Sequence, residues 1–394
     1  MKIAIAAPTT IPARRANTVQ VMKMAQAFTR NNYEVTLLVP EFTPEIKSQN
    51  SGSTDWEFLS NHYGIQTEFP IQWLSTSPVY RHYDYAIKVV RWIRNNRINL
   101  VYTRMPQVAA IASSINQNTI LEIHDLPSGR FGPQLFKLFL RGKGGLRLVV
   151  ITRTLLTELG VRFNLPNAPF FTIAAPDGVD LDRYVDLPGP KIARKHLMET
   201  RKDLSDLSPD KFTAGYTGHL YAGRGINLIT RVAVNLPEVN FLIAGGEPEQ
   251  IQQLKDFVFS QDINNIFVAG FVPNAELALY QAACEALMMP YQYKVAASSG
   301  GDISKYLSPM KLFEYMACGR VILASDLPVL GEVLNSKNSV LLPADRVDKW
   351  IEALIGIKEN PARWKQLAET AHQQSKEYSW ESRAAKILDK LELG

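Results

Sequence analysis

Apolar residues in this chain come in short uninterrupted runs separated by longer stretches of helical spacing. Residues 2–7 (Lys-Ile-Ala-Ile-Ala-Ala) form the first run, and its lack of polar/apolar alternation predicts a strand buried on both faces. Helical spacing follows over residues 19–31. A second run, Glu34-Val35-Thr36-Leu37-Leu38-Val39, then completes a βαβ unit and calls for a parallel sheet. Further runs at 100–102, 119–123, 148–151 and 170–173 repeat the alternation and predict a doubly wound domain. Residues 40–61 are polar, centred on Ser48-Gln-Asn-Ser-Gly-Ser-Thr54, and read as an exposed excursion.

Residues 182–209 carry mixed charge, with Pro188 and Pro190 before a poorly amphipathic helical stretch, and read as the way out of the first domain. The same grammar then restarts. Runs at 213–217, 240–244, 266–268, 286–289 and 321–323 predict strands, and 227–235, 275–283 and 311–317 predict helices. The expected organisation is an α/β pair of doubly wound, Rossmann-like domains, 1–185 and 186–377, with a closing helix in 378–394. Two such sheets in tandem are expected to turn their carboxyl edges toward one cleft.

At 394 residues, 46% hydrophobic and 21% charged, the chain exceeds one ordinary core and is neither disordered nor fibrous. The opening apolar run ends at Pro8, and the longest uncharged stretch, 105–121, is diluted by Gln, Ser, Asn and Thr; neither suits a leader or a span. A cytoplasmic protein, free or attached to a membrane surface only, is expected. Cys284 and Cys318 lie in apolar contexts without zinc spacing and read as reduced and inert.

Charge changes the picture more. Of the net +5, residues 1–185 contribute +7 and the remainder −2. Much of the excess sits among aromatics in 83–94 and 131–143, two basic amphipathic segments. Each suits anionic lipid or an anionic acceptor, or is simply a solvated helix face. Basic residues never run beyond adjacent pairs and no base-reading motif appears, which argues against nucleic acid.

Candidate chemistry concentrates at predicted strand ends. In Ser308-Pro309-Met310-Lys311-Leu312-Phe313-Glu314, Ser308 reads as an N-cap and Pro309 as first-turn residue of a helix closed by Gly319. Such a helix start offers N–H groups to an anion, and Glu314, one turn on, can accept from vicinal ribose hydroxyls; a capped surface helix is the plain alternative. The turn Gly218-His219-Leu-Tyr-Ala-Gly-Arg224-Gly225, between strand and helix, converges backbone N–H groups and a cation on one point, as a diphosphate requires. His124, in Glu122-Ile-His124-Asp125, ends a first-domain strand; it either reaches a bound sugar or is a core histidine bonded to Asp125. Arg14 and Arg15, and Arg104 at another strand end, are candidates for an anionic acceptor.

Together these segments resemble glycosyltransferase family 4, the retaining group 1 glycosyltransferases of GT-B fold. The resemblance runs over nearly the whole chain and is most specific over 308–332. It implies transfer of a sugar, with retention, from a UDP- or GDP-linked donor to an acceptor hydroxyl of a glycan, lipid or small molecule. It assigns Gly218, His219 and Arg224 with Lys311 to the donor diphosphate, Glu314 to the ribose, and Gly270-Phe271-Val272 to the nucleobase. Ser308, Pro309, Met310 and Leu312 complete the nucleotide-sugar segment. His124 is assigned to the transferred sugar near the reacting carbon, and Ala16, Asn17 and Thr18, capping a helix, to the loop between donor and acceptor. His124, Arg224 and Lys311 are thus the catalytic candidates, and the closing helix is expected to return to the first domain.

Two positions depart from the pattern. His219 replaces a cation, which would make its charge depend on pH near neutrality. The family's first motif glutamate falls on Tyr306, with Asp302 in the preceding loop a substitute only if that loop folds inward. The single Asp-x-Asp pair, Asp180 and Asp182, lies in the domain-junction turn, so no cofactor and no metal requirement are expected. Two other readings share these features: a nucleotide-sugar 2-epimerase, which needs further acids and bases around the sugar, and a non-catalytic nucleotide-sugar-binding subunit, in keeping with Tyr306 and His219.

Overall fold

The unalternating run at the amino terminus forms β1 (Lys2–Ala6), four of whose five residues are buried. The computed structural model describes residues 1–41, 55–77, 83–168, 170–296 and 301–391. It divides into two units, Met1–Asp177 with Trp380–Gly394, and Gly178–Ser379.

In the first unit β1 is followed by α1 (Ala16–Arg30), β2 (Glu34–Glu41), α2 (Trp56–Tyr63), β3 (Ile71–Ser75), α3 (Tyr83–Asn95) and β4 (Leu100–Thr103). Then come α4 (Pro106–Ser114), β5 (Thr119–Ile123), α5 (Gly132–Arg141), β6 (Gly145–Val150), α6 (Arg153–Arg162) and β7 (Thr172–Ala174). The strands form one sheet in the order β3-β2-β1-β4-β5-β6-β7. All pairs are parallel, with Ile3 set between Val35 and Leu100. The order reverses at β1/β4, the point where such sheets open a crevice beyond the strand ends.

The second unit contains α7 (Pro190–Thr200), β8 (Thr213–Thr217), α8 (Ile226–Asn235), β9 (Asn240–Ala244), α9 (Pro248–Ser260), β10 (Ile266–Gly270) and α10 (Leu277–Ala282). It continues with β11 (Ala286–Met289), α11 (Met310–Cys318), β12 (Val321–Ser325), β13 (Val340–Leu342), α12 (Val347–Glu359) and α13 (Pro361–Ser375). Its sheet runs β10-β9-β8-β11-β12-β13, again parallel, and reverses at β8/β11. Alternate residues feed two cores: Leu242, Ala244, Leu287 and Met289 pack into one, Phe241, Ile243, Ala286 and Met288 into the other. Both faces are covered, which is why the strands show no alternation.

The unit boundaries fall earlier than 185 and later than 377. Val179 and Tyr184 join the core of the second unit, and Val179 N–H donates to Tyr378 O at 2.9 Å, so the turn after Asp177 belongs there. The last helix, α14 (Trp380–Leu388), belongs to the first unit. It packs on α1 through Arg30 Nη1 to Glu381 Oε1 at 3.0 Å, and receives Arg147 Nη1 on Ile387 O at 2.6 Å.

Several elements were not visible in the sequence. β3 is half-exposed along its length and β13 has three residues, so neither carries a strong apolar run. α2 begins inside the stretch read as an excursion and runs past its end; Asp55 caps it by accepting from Phe58 N–H at 2.8 Å, and Gly64 ends it at φ 62°. The centre of that stretch, 48–54, lies outside the described residues. α11 is capped one residue later than expected: Pro309, not Ser308, is the N-cap, and no side-chain hydrogen bond caps the helix. Cys284 and Cys318 are buried and free; burial pushes both thiols up, Cys318 to about 12. No helix among the described residues is long and apolar enough to cross a membrane.

Candidate functional site

In the second unit, the ends of β8 and β11 meet at the reversal of strand order. Gly218 leaves β8 with its N–H donating to Ala244 O at 2.8 Å and adopts φ +127°. A Cβ here would lie 2.8 Å from Lys311 Nζ, so the glycine lets the lysine approach the main chain. Gly225, the N-cap of α8, adopts φ +85°, and a Cβ on it would meet Pro290 O at 2.0 Å. Tyr216 Oη donates to His219 O at 2.6 Å and Thr217 N–H to Tyr315 Oη at 2.8 Å, tying the turn to β8 and α11 to both.

Two cations converge on this turn. Lys311 Nζ sits 3.7 Å from the Tyr216 ring centroid and 5.5 Å from that of Tyr291, shielded from water and without a hydrogen-bond partner. Burial, with Arg224 beside it, holds its proton affinity well below that of an ordinary lysine. Arg224 donates from Nη1 to Tyr291 Oη at 2.8 Å and lies over that ring, while its buried Nε is unpartnered. Burial works against its charge, but Tyr291 and Tyr216 outweigh it and raise its pKa.

His219 corrects an expectation. Burial, reinforced by Arg224 and Lys311, pulls it to about 4, so it is neutral throughout the physiological range rather than titrating within it. Its ring stacks on Tyr221 at 4.8 Å, and its buried Nδ1 has no hydrogen bond.

Glu314 is 8% exposed, and its Oε2 accepts from Gln281 Nε2 at 3.2 Å. Gln281 in turn accepts from Tyr184 Oη at 2.9 Å. These two supports went unseen because they reach Glu314 from other elements. Gly270 ends β10 at φ +70° and its carbonyl accepts from Gly245 N–H at 2.6 Å. Phe271 beside it is half-buried, whereas Val272 and Leu312 are core residues, and Ser308, Pro309 and Met310 are half-buried at the start of α11. Asp302 does not replace the missing glutamate: its Oδ1 accepts from Val295 N–H at 3.0 Å and Ser304 N–H at 2.9 Å, closing its own loop. Residues 298–300 of that loop lie outside the described residues, and Tyr306 is buried.

In the first unit, His124 follows β5 but is not bonded to Asp125, whose Oδ1 accepts from Leu126 N–H at 2.7 Å. Its Nε2 lies 2.5 Å from Glu122 Oε1. Glu122 is fully buried, and sequence reasoning missed it because it sits within an apolar strand. Arg104, after β4, donates to Gln20 Oε1 at 3.1 Å, and burial lowers it to about 10. The expected capping of α1 is absent: Arg15 is the N-cap with no side-chain bond, Ala16, Asn17 and Thr18 form the first turn, and buried Thr18 bonds Thr9 through their hydroxyls. Asp180 is the N-cap of a short 3-10 turn, Leu181–Tyr184, and Asp182 lies within it. Among the described residues, no group of three or more His, Cys, Asp or Glu could hold a metal ion.

Residues 211–360 match a family model described as glycosyl transferases group 1. The chain is 24% identical over 273 residues to alpha-galactosylglucosyldiacylglycerol synthase of Streptococcus pneumoniae, over 66% of this chain and 67% of that protein. It is 24% identical over 221 residues to D-inositol 3-phosphate glycosyltransferase of Xylanimonas cellulosilytica, over 54% of this chain and 49% of that one. Among solved structures, HepE of Anabaena in complex with UDP aligns with a TM-score of 0.70 at 15% identity over 99% of both chains. Sucrose-phosphate synthase of Thermosynechococcus elongatus aligns at 0.70 and 16% identity, over 98% of this chain and 97% of that one. At these identities the structural likeness is one of fold.

Proposed function

We propose that this chain, which belongs to the group 1 glycosyltransferases through residues 211–360 and has the GT-B fold, transfers a hexose with retention from a nucleoside diphosphate sugar, UDP- or GDP-linked, to an acceptor hydroxyl. The observation that carries this reading is the Lys311 ammonium: buried, unpartnered, pressed against the Gly218 main chain and next to Arg224. A cation held that way is a site prepared for an anion, and a diphosphate at this strand end would supply the missing partner.

Arg224 and Lys311 then stabilise the charge that grows on the leaving diphosphate, and the start of α11 adds main-chain dipoles. His219 contributes a neutral imidazole, and Glu314 accepts from the ribose hydroxyls. In the retaining step the bond from the anomeric carbon to the diphosphate oxygen breaks and the bond to the acceptor oxygen forms on the same face. The acceptor's proton passes to the departing phosphate. The two cations make this chemistry independent of a divalent metal in our reading. The basic first unit suits an acceptor that is anionic or embedded among anionic lipids, in keeping with a relative named for a diacylglycerol glycoside.

The test is a thermal-shift series with UDP, GDP, ADP and their common sugar conjugates in buffer containing EDTA, repeated with Glu314→Ala. A ligand that binds the native state raises its midpoint. One nucleotide series should shift the protein and lose most of its effect in the variant. No shift with any of them would overturn the donor site; a shift that appears only when EDTA is replaced by Mg²⁺ would overturn metal independence.

A further inference from the structure

Lys311 and Glu314 stand one turn apart on α11, a spacing at which a lysine and a glutamate can pair. No hydrogen bond joins them. The Glu314 carboxylate accepts from Gln281 Nε2 at 3.2 Å instead, and Lys311 Nζ rests 3.7 Å from the Tyr216 ring centroid. A second ring, that of Tyr291, has its centroid 5.5 Å from the same nitrogen. Tyr291 also serves Arg224, whose guanidinium lies 5.0 Å from the ring centroid and donates from Nη1 to Tyr291 Oη at 2.8 Å. Two tyrosines thus attend two cations, all within the second unit.

Both rings are fixed. Tyr216 lies in β8, is buried, and donates from Oη to His219 O at 2.6 Å; Tyr291 is buried just beyond β11, with its N–H on Met289 O at 3.0 Å. An aromatic face attracts a cation through its quadrupole but offers no lone pair. It therefore holds an ammonium in place and leaves its N–H bonds for an incoming anion. A carboxylate in the same position would take those bonds and repel a diphosphate. The groups facing Lys311 are Tyr216 from β8, Arg224 and His219 from the turn before α8, Tyr291 from beyond β11 and Glu314 from its own helix. Burial and Arg224 disfavour its charge, and the pull of Glu314 does not make up for them. Burial keeps Tyr216 un-ionised and, with the two cations, keeps His219 neutral. A bound anion reverses that balance at Lys311.

We propose that Tyr216 and Tyr291 form an aromatic cradle that holds Lys311 clear of any acceptor of its own, so that a nucleoside diphosphate bound at this turn is the first acceptor its amine meets and fixes a solvent proton on it. This rests on the reading that the donor diphosphate binds there. The tyrosines are positioning residues, acting through the two cations and not on the reacting atoms. It follows that donor binding is coupled to proton uptake. The bound lysine holds its proton more tightly than the free one, so affinity is highest below the free value and falls as pH rises between the free and bound values.

Isothermal titration calorimetry of the full-length protein with UDP-glucose and GDP-mannose, each in buffers of different ionisation heat, counts the protons exchanged. A nucleotide sugar suits this test because its diphosphate is esterified at both ends and exchanges no proton near neutrality. Binding should take up a proton between about pH 6.5 and 9, with Kd rising about tenfold per pH unit across the window. Tyr216→Phe keeps the ring and should keep the uptake. Tyr216→Leu should bind about tenfold more weakly and take up less, since water then reaches the amine; Tyr291→Leu repeats the comparison at the second ring where Tyr216→Leu does not fold. Binding with no proton exchange over the whole range, or undiminished uptake in the leucine variants, would overturn the cradle and leave the donor site standing. Loss of the uptake in His219→Gln would assign the proton to the imidazole and overturn it equally. No heat and no thermal shift with either ligand would overturn the donor site and the cradle together.

Discussion

Lys311 shows how a single side chain can be a liability to the fold and, in the proposed function, an asset to the reaction. A buried ammonium with no hydrogen-bond partner costs the unliganded protein free energy, and only a bound anion would repay it. The sign of the pH effect follows. The folded lysine holds its proton less tightly than the unfolded one at the ordinary 10.5, so the penalty is full below the folded value and disappears as pH rises toward 10.5. Lys311→Met should therefore stabilise the unliganded protein by about 1–3 kcal/mol in urea unfolding near pH 7 and lose the nucleotide-induced thermal shift. A variant less stable than the native protein would mean the ammonium is a net stabiliser and would undo the anion-site argument. At this level the residue types were readable in the sequence and the partners were not. His124 and Glu314 stood out by motif, but Gln281 reaches Glu314 and Arg383 reaches Glu122 from distant positions, and nothing in local spacing marks a long-range hydrogen bond.

Strands with continuous apolar runs were legible because burial on both faces leaves that signature, and β5, β8, β9 and β11 fall within the runs that predicted them. Helix starts were not. α11 lacks the side-chain cap its sequence advertises, and α1 begins three residues ahead of its expected start behind an uncapping Arg15. The turn before α8 is the element on which the proposed donor site depends most. Gly225 there combines a left-handed backbone with a 2.0 Å approach of the Pro290 carbonyl to any Cβ. Gly225→Ala should destabilise the second unit by at least about 1–3 kcal/mol, since main chain rather than a pliable side chain must move. It should also weaken nucleotide binding beyond what the stability loss explains, because Arg224 immediately precedes it. A variant with native stability and native nucleotide affinity would show that the turn is not the rigid support described.

Each unit reverses its strand order once, at β1/β4 in the first and β8/β11 in the second, and strand grammar anticipated both sheets apart from β3 and β13. What the same grammar could not supply is the purpose of the uneven charge, +7 over residues 1–185 against −2 beyond. Structure gives that excess a location. On α3 and α5, Tyr83, Ile87, Phe131 and Leu138 are exposed apolar residues, and Tyr83, Phe131, Gln134, Leu135 and Leu138 line a shallow groove of about 270 Å³. Arg91 and Arg94 on α3, and Lys137, Arg141 and Lys143 on or beside α5, are exposed as well. Apolar side chains flanked by solvated cations are what an anionic bilayer surface selects, each cation contributing about 1 kcal/mol. The protein should therefore sediment with vesicles containing anionic phospholipid and not with purely zwitterionic ones, and release as salt is raised. Lys137→Glu with Arg141→Glu should lower the partition coefficient at least tenfold, because two reversed charges remove more than 1.4 kcal/mol of attraction. Leu138→Asp should lower it further by removing the apolar insertion. Equal sedimentation with both vesicle types, or an undiminished coefficient in the double variant, would assign the basic excess to a soluble anionic acceptor instead, and the groove would then be the place to look for it.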